Sequence, residues 1–160
     1  MIPARLNSTR LPGKLMMDLN GIPIILSTLL NTIKTNLFDD VYVVTDSKEI
    51  YTFLIKHHKN ILFSKKNHDS GSDRIAEFAK EMQVDIIVNV QGDEPLIDPK
   101  NIDKVINFHK KNLNSDIILP TLVSKKKSTK NIVKVLINNK KEVMYLSRTN
   151  LPFNFKKKND

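Results

Sequence analysis

The sequence predicts an α/β fold in which a mostly parallel sheet is covered by helices and followed by a late antiparallel hairpin. Short runs of aliphatic and β-branched residues alternate along most of the chain with segments whose apolar residues recur at helical spacing. This alternation is typical of a parallel sheet. The pattern changes near the end, where two strand-like runs, 133–137 and 142–146, flank the polar residues 138–141. We expect 1–160 to form a single domain.

Local patterns predict the elements of the first half of the chain. Residues 2–4 are the end of a strand, and 5–21 is a long loop because it is basic, polar and interrupted by proline and glycine. Pro23 suits the first position of a helix whose apolar stripe ends near Ile33. The elements that follow are a buried strand at 41–44, a helix capped by Ser47 that ends near Lys56, a strand at 61–63, and a helix to Ala79 that opens with the capping-box pair Ser70 and Asp73.

Three further elements are predicted before the hairpin. Residues 85–90 are the best strand candidate in the chain and are apolar enough to predict a central strand. The spacing of apolar residues over 99–111 predicts a helix. A last strand is expected at 117–119, although Pro120 weakens it because proline cannot donate a backbone hydrogen bond.

The net charge of +9 raises the alternative of a nucleic-acid-binding module. Lysine supplies 22 of the 26 basic residues and is scattered along the chain, so the charge predicts a solvated surface and no nucleic-acid partner. Cysteine is absent, which excludes disulfides, thiol nucleophiles and cysteine-based zinc sites. Because no apolar run is long enough to span a membrane and the start lacks a secretory signal, we expect a cytoplasmic protein without a membrane partner.

Polar segments that carry candidate chemistry follow three of the predicted strands. They are 5–14, 69–74 and 91–95. In an open parallel sheet, ligands bind outside the carboxyl ends of the strands. We therefore expect the three segments to converge at one edge of the sheet.

The first segment concentrates cations and hydroxyl groups in a turn with a glycine. A triphosphate needs such groups because its charge must be neutralised and held in place. A solvated basic loop is the alternative, and the spacing does not match a P-loop. The candidate residues are Arg5, Ser8, Thr9, Arg10, Gly13 and Lys14.

The second segment places small residues at the start of a helix. The backbone N–H groups at Ser70 and Gly71 can face a ligand, and Arg74 can reach a base carbonyl or a phosphate. An ordinary helix cap with a surface arginine is the alternative.

The third segment places Asp93 after a glycine at the end of an apolar strand. A carboxylate there is unfavourable unless it holds a metal or another cation. Magnesium prefers one or two carboxylates together with water and substrate phosphates. A strand-end turn with a capping acid is the alternative.

Together these segments resemble the 3-deoxy-manno-octulosonate (KDO) cytidylyltransferase family, also called CMP-KDO synthetases. The matching stretches, in family order, are IPARLNSTRLPGK at 2–14, VVTDS at 43–47, DSGSDRIAE at 69–77, NVQGDEP at 89–95 and YLSRTNLP at 145–152. The resemblance covers essentially the whole chain. It implies a Rossmann-like nucleotidyltransferase sandwich of the nucleotide-diphospho-sugar transferase type.

The resemblance also implies the substrates, CTP and KDO, the cofactor Mg²⁺, and a place in lipopolysaccharide biosynthesis. Arg10 and Lys14 would neutralise the triphosphate, and Asp93 would hold the metal; these are the expected catalytic residues. Gln91 and Arg148 would contact the sugar acid. The nucleotide-binding set that it implies is Ala4, Arg5, Ser8, Arg10, Lys14, Ser70, Gly71, Arg74 and Gln91.

Family members have a hydrophobic strand before the IPAR residues and continue past the last motif. That later region supplies further sugar contacts, a second metal carboxylate and much of a homodimer interface. The resemblance therefore implies that 1–160 is an incomplete domain, truncated at the C-terminus and by a few residues at the N-terminus. We expect these residues alone to bind CTP weakly and to make little CMP-KDO. An inactive nucleotide-binding remnant of the same family is the alternative.

Overall fold

The computed structural model describes residues 1–7, 11–123, 129 and 131–149. The predictions for Ser8, Thr9 and Arg10 lie outside these residues. The chain divides into two compact units, Met1–Ile118 and Leu119–Asp160. A single domain over 1–160 stays a prediction.

The first unit contains five strands and four helices among the described residues. In chain order they are β1 (Ile2–Ala4), β2 (Asp18–Leu19), β3 (Ile22–Pro23), α1 (Ile24–Lys34), β4 (Val43–Thr45), α2 (Lys48–Leu54), β5 (Ile61–Phe63), α3 (Gly71–Ala79) and α4 (Pro99–Lys111).

The predicted parallel sheet forms the centre of this unit, and its strand order is β1-β4-β5. Ile2 pairs with Val43, and Val43 pairs with Ile61. Side chains from α1 and α2 join those of the sheet in one hydrophobic core. Burial of these aliphatic groups is the main force that holds helices and sheet together. The fully buried core side chains include Ile2, Ile25, Leu29, Val43, Ile50 and Leu54.

The segment predicted as the central strand lies beside β1 at the edge opposite β4. The Met1 nitrogen donates a hydrogen bond to the Val88 carbonyl at 2.7 Å, and the Val90 N–H donates to the Met1 carbonyl at 3.0 Å. This is the pattern of a parallel bridge. Within the described residues the segment pairs with Met1 alone, and Ile87 on its other face is exposed. The prediction of a regular, central strand at 85–90 is therefore wrong.

The predicted loop at 5–21 is more ordered than expected. A 3₁₀ turn occupies Lys14–Met16, and β2 and β3 form a short antiparallel hairpin. Asn20 and Gly21, between its strands, have positive φ angles of 56° and 92°, as a type I′ turn requires. The Asn-Gly pair was a hairpin signal that the loop prediction missed. Because Pro23 pairs with Asp18 in this hairpin, it lies just before α1 and is not its first residue.

The predicted helix starts in the middle of the chain are confirmed. The Ser47 hydroxyl accepts a hydrogen bond from the Ile50 N–H, and Ser70 and Asp73 form a full capping box. Residues 117–119, by contrast, are not a strand, and Ile117 is 83% exposed. A run of three apolar residues before a proline does not form a strand without a neighbouring strand to pair with.

The second unit contains the predicted antiparallel hairpin. Its strands are β6 (Lys134–Ile137) and β7 (Val143–Ser147), with Lys134 opposite Ser147 and an irregularity between Leu136 and Ile137. The Asn138 side-chain oxygen accepts hydrogen bonds from the Lys140 and Glu142 N–H groups and closes the turn. Among the described residues of the whole chain, no helix has the length and hydropathy needed to cross a membrane.

Candidate functional site

The carboxyl ends of the parallel strands lie at one edge of the sheet, and the three candidate segments meet there in part. The residues after β1 and β4 line a cavity of about 360 Å³ together with residues from the loop between β5 and α3. A cavity of this size fits part of a nucleotide. Its lining comprises Arg5, Leu6, Asn7, Asp46, Ser47, Asn67, His68 and Arg74.

Arg74 is the buried cation of this cavity. The residue is only 2% exposed, and its Nη2 donates to the Asp46 carboxylate at 2.5 Å. Within the described residues its Nε has no hydrogen-bond partner. A buried guanidinium needs a carboxylate partner, so Asp46 fixes where the fork of Arg74 can point. Sequence reasoning assigned no role to Asp46, although an acid directly after a buried strand in the VVTDS motif was an available signal.

At the second segment the helix cap is confirmed for Ser70, and its role in ligand binding stays a prediction. The Ser70 hydroxyl accepts from the Asp73 N–H at 3.1 Å, and the Asp73 carboxylate accepts from the Ser70 N–H at 3.0 Å. Ser70 is thus engaged as a helix cap. Gly71 lies against Pro3 of β1, where an added Cβ would come within 3.1 Å of the Pro3 Cγ. The helix start is therefore packed directly onto the first strand.

Lys14 and Asp93 bring the first and third segments together. The Lys14 Nζ lies 2.6 Å from the Asp93 Oδ2, and the two side chains are 38% and 43% exposed. Gly13, with a φ of 71°, donates its N–H to the Leu6 carbonyl at 3.0 Å, so the loop after β1 closes on itself before Lys14. The predicted triphosphate cation and the predicted metal ligand are thus direct neighbours.

Helix α1 holds the third segment in place. The Thr28 hydroxyl donates to the Gly92 carbonyl at 2.9 Å, and the Asn31 side-chain amide donates to the Pro95 carbonyl at 2.5 Å. A Cβ at Gly92 would lie 3.0 Å from the Pro3 carbonyl oxygen, so the loop approaches β1 closely enough that a side chain there would be crowded. Thr28 and Asn31 were missed by sequence reasoning, because polar residues on the helix gave no sign of which loop they contact.

The chemistry around Asp93 fits a divalent cation bound together with a nucleotide. Burial, with the charge of Asp93 added, raises the pKa of the neighbouring Glu94 carboxyl. The described residues contain no cluster of three or more side chains able to hold a metal by themselves. One exposed carboxylate with substrate phosphates and water is a donor set that Mg²⁺ accepts, whereas a stand-alone metal centre needs more ligands.

The remaining predicted residues lie in different settings. Ala4 ends β1 with its side chain buried, so only its backbone can contact a ligand. The exposed Gln91 donates its amide to the Asn89 side-chain oxygen at 3.1 Å. Arg148 belongs to the second unit, where its Nη1 donates to the Asn131 carbonyl at 3.1 Å.

Comparison with known proteins gives consistent matches. A family model described as cytidylyltransferase matches residues 1–160. The chain is similar to the 3-deoxy-manno-octulosonate cytidylyltransferases of Christiangramia forsetii, with 42% identity, and Flavobacterium johnsoniae, with 40% identity; each alignment covers 96% of this chain. The same alignments cover 64% and 65% of the two relatives, so the chain spans less than two thirds of their length.

Two solved structures are also similar to this chain. The fold is similar to that of CMP:2-keto-3-deoxy-manno-octonic acid synthetase complexed with CTP, with a TM-score of 0.77 and 28% identity over 97% of this chain and 65% of that one. It is also similar to a cytidylyltransferase from Leptospira borgpetersenii, with a TM-score of 0.58 and 29% identity over 69% of this chain and 48% of that one. The predicted nucleotidyltransferase fold is confirmed.

Proposed function

Because this chain belongs to the cytidylyltransferase family, we propose that it activates KDO with CTP and releases CMP-KDO and pyrophosphate. The product would serve lipopolysaccharide biosynthesis. The observation that carries the proposal is the pairing of Lys14 with Asp93 at the sheet edge that also bears the cavity of Arg5 and Arg74. A cation and a carboxylate at the same sheet edge as a cavity that fits part of a nucleotide match what phosphoryl transfer requires.

In the proposed reaction, the anomeric hydroxyl oxygen of KDO attacks the α-phosphorus of CTP. A new P–O bond forms, the bond from the α-phosphorus to the oxygen that bridges it to the β-phosphorus breaks, and that oxygen leaves with pyrophosphate. The hydroxyl proton passes to solvent or to a base. Lys14 neutralises charge on the triphosphate, and Arg5 lines the cavity where the nucleoside end binds. Arg10 and Ser8 complete the phosphate loop in this proposal.

Base selection is assigned to the second segment. Arg74, held by Asp46, presents its remaining donors from a fixed position, which suits a cytosine carbonyl. The first-turn amides of α3 at Gly71 add donors at a helix N-terminus. Ala4 contributes backbone groups at the end of β1.

Asp93 would hold Mg²⁺ in the nucleotide complex. The ion supplies charge neutralisation and polarises the phosphoryl oxygens. Because Lys14 already pairs with Asp93, binding of the metal and nucleotide requires Lys14 to transfer its contact from the carboxylate to a phosphate. Gln91 and Arg148 would bind the sugar acid, with the planar fork of Arg148 suited to its carboxylate.

Calorimetric titration with the four ribonucleoside triphosphates and magnesium tests the proposal. We expect heat from CTP and much weaker binding of UTP, GTP and ATP. Lys14→Ala should weaken CTP binding by about tenfold or more, since it removes a charge-assisted contact to phosphate. Lys104→Ala, on exposed α4, removes an equal charge and serves as the control.

Two outcomes would count against the proposal. Equal affinity for ATP and CTP contradicts the cytosine assignment. Strongly salt-dependent binding to RNA, without CTP selectivity, would instead favour the basic-module alternative. A pyrophosphate-release assay with CTP and KDO separates turnover from nucleotide binding alone. The homodimer and the cytoplasmic location remain predictions.

A further inference from the structure

The Glu77 carboxylate lies at the centre of a cluster of side chains outside the three candidate segments, 5–14, 69–74 and 91–95. Glu77 is on the second turn of α3, and its side chain is 18% exposed. The Ser64 hydroxyl donates to its Oε2 at 2.5 Å, and the His68 Nε2 lies 3.0 Å from the same oxygen. The Lys66 Nζ lies 3.5 Å from Oε1. One carboxylate therefore gathers three side chains from the loop that joins β5 to α3.

These contacts determine the path of that loop. Ser64 is buried, and its N–H donates to the Thr45 carbonyl of β4 at 2.8 Å, which ties the start of the loop to the sheet. Its hydroxyl also accepts from the Lys66 N–H at 3.1 Å. The loop is thus attached to Glu77 at its start, middle and end before it reaches Ser70. Removing the carboxylate would release all three attachments together.

His68 connects the cluster to the nucleotide cavity. Its side chain is 7% exposed and lines this cavity together with Arg5 and Arg74, and it also lines the adjoining cavity together with Glu77. Because the Glu77 carboxylate can only accept, the His68 Nε2 carries the hydrogen of this contact. The imidazole is therefore a cavity wall whose position depends on a residue outside the cavity.

We propose that Glu77 is a positioning residue for nucleotide binding: it holds the 65–70 loop and the His68 ring in the shape of the cavity without touching the nucleotide. The proposal rests on the function proposed above. A bound nucleotide would meet the wall that Glu77 holds, and so the effect of Glu77 would appear in affinity and in loop mobility together.

The charges around Glu77 are consistent with this role. The hydrogen bond from Ser64, assisted by the charges of Lys66 and His68, holds the pKa of the Glu77 carboxyl below its ordinary value. The other charged groups that line the adjoining cavity of about 430 Å³ are Asp73, Lys80 and Glu81. Glu77 is therefore ionised through the neutral range, and its contacts persist wherever the protein would bind a nucleotide.

The test compares Glu77→Gln with Glu81→Gln, which removes the same charge two residues beyond the end of α3, at the same cavity. In the absence of nucleotide, hydrogen exchange measured by mass spectrometry should speed up about tenfold at 65–70 in Glu77→Gln, with β4 unchanged. Calorimetry should show CTP affinity reduced about tenfold in the same variant. Glu81→Gln should match the unaltered protein in both measurements.

A second pair of variants keeps the test decisive if Glu77→Gln does not fold. Ser64→Ala removes the hydroxyl that donates to Glu77 and should reproduce both effects expected of Glu77→Gln. Ser115→Ala, at a serine that lines neither cavity, should match the unaltered protein. Unchanged exchange in the 65–70 loop overturns the proposal. So does faster exchange with unaltered CTP affinity. If the unaltered protein shows no preference for CTP, the proposed function fails, and the claim that Glu77 serves nucleotide binding fails with it. The exchange data then still decide whether Glu77 holds the loop.

Discussion

Lys14 and Asp93 form a 2.6 Å ion pair that joins the loop after β1 to the loop after 88–90. The sequence suggested no structural partner for Asp93, and the pair provides one. Both side chains are more than a third exposed, so the pair contributes little to folding free energy. Its significance is that a cation already lies where the proposed metal–nucleotide complex needs one.

Asp93→Asn should abolish magnesium-dependent CTP binding and leave the fold intact. The amide keeps the size of the side chain and removes the charge that would hold the metal, while loss of an exposed pair changes stability by about 1 kcal/mol or less. Calorimetry with and without magnesium measures the first effect, and urea denaturation measures the second. Asp103→Asn, on the exposed surface of α4, is the matched control.

A folded variant that retains full magnesium dependence would show that Asp93 is not a metal ligand. If the variant instead unfolds, the Lys14 pair is structural, and Lys14→Met should destabilise the protein to the same extent. That comparison separates the two roles of the carboxylate.

Asp46→Asn should destabilise the protein by about 1–3 kcal/mol, because it leaves the Arg74 guanidinium buried without its counter-charge. The partial exposure of Asp46, 30% of its side chain, keeps the expected loss below that of a fully buried pair. The variant should also bind CTP less selectively, since Arg74 loses the contact that orients it. Thermal unfolding and competition between CTP and UTP measure the two effects.

Arg74→Lys alone and Arg74→Lys in the Asp46→Asn background complete a double-mutant cycle. If Asp46 and Arg74 act as a unit, the second substitution adds little to the loss of stability or of selectivity. Simple additivity of the two losses would refute the assignment of Asp46 as the partner that positions Arg74.

The elements set by local chemistry were predictable from the sequence. The caps at Ser47 and Ser70 depend on residues three positions away, and both are found as predicted. Hydrophobic spacing likewise predicted α1 and α4 to within a residue of their ends. The edge location of the three candidate segments followed from the parallel order of the strands.

The features that depend on contacts with residues distant in the chain were not predictable from the sequence. Whether 85–90 forms a regular strand is decided by the neighbours available for pairing, and its apolar composition is the same in either case. The roles of Asp46 and Thr28 follow from contacts with residues 28 and 64 positions away, respectively. The proline and two glycines of 5–21 predict a loop, and that prediction does not include the hairpin turn at Asn20.

Gly92→Ala should lower the free energy of unfolding by about 1–3 kcal/mol, because the new methyl group meets the Pro3 carbonyl oxygen and the loop must shift. Gly71→Ala is the comparison: its Cβ meets only the Pro3 ring, and the milder contact should have a smaller effect. Urea denaturation of both variants measures the difference. Equal losses of unfolding free energy in the two variants would indicate that Gly92 is not needed for the close approach of its loop to β1.

Acid should weaken the fold partly through Glu77. The pKa of this carboxyl lies below its ordinary value of 4.5, chiefly because Ser64 donates a hydrogen bond to it. A carboxyl whose pKa falls on folding stabilises the folded state above that ordinary value, and the contribution disappears as pH falls through the folded pKa. Glu77→Gln should therefore lose less stability than the unaltered protein as the pH is lowered below 4.5.

Glu94 should behave in the opposite sense, which makes Glu94→Gln the matched comparison. Burial, with the charge of Asp93 added, raises the pKa of Glu94, so the folded protein takes up this proton more readily than the unfolded chain. Its contribution to stability is present at low pH and is lost as pH rises through the folded pKa.

Glu94→Gln removes that gain, so its stability should fall more steeply in acid than that of the unaltered protein. Urea denaturation of the three proteins between about pH 6 and pH 3 measures all three slopes. If the slopes of both variants deviate from that of the unaltered protein in the same direction, the pKa of Glu77 or of Glu94 is shifted in the opposite direction to the one described.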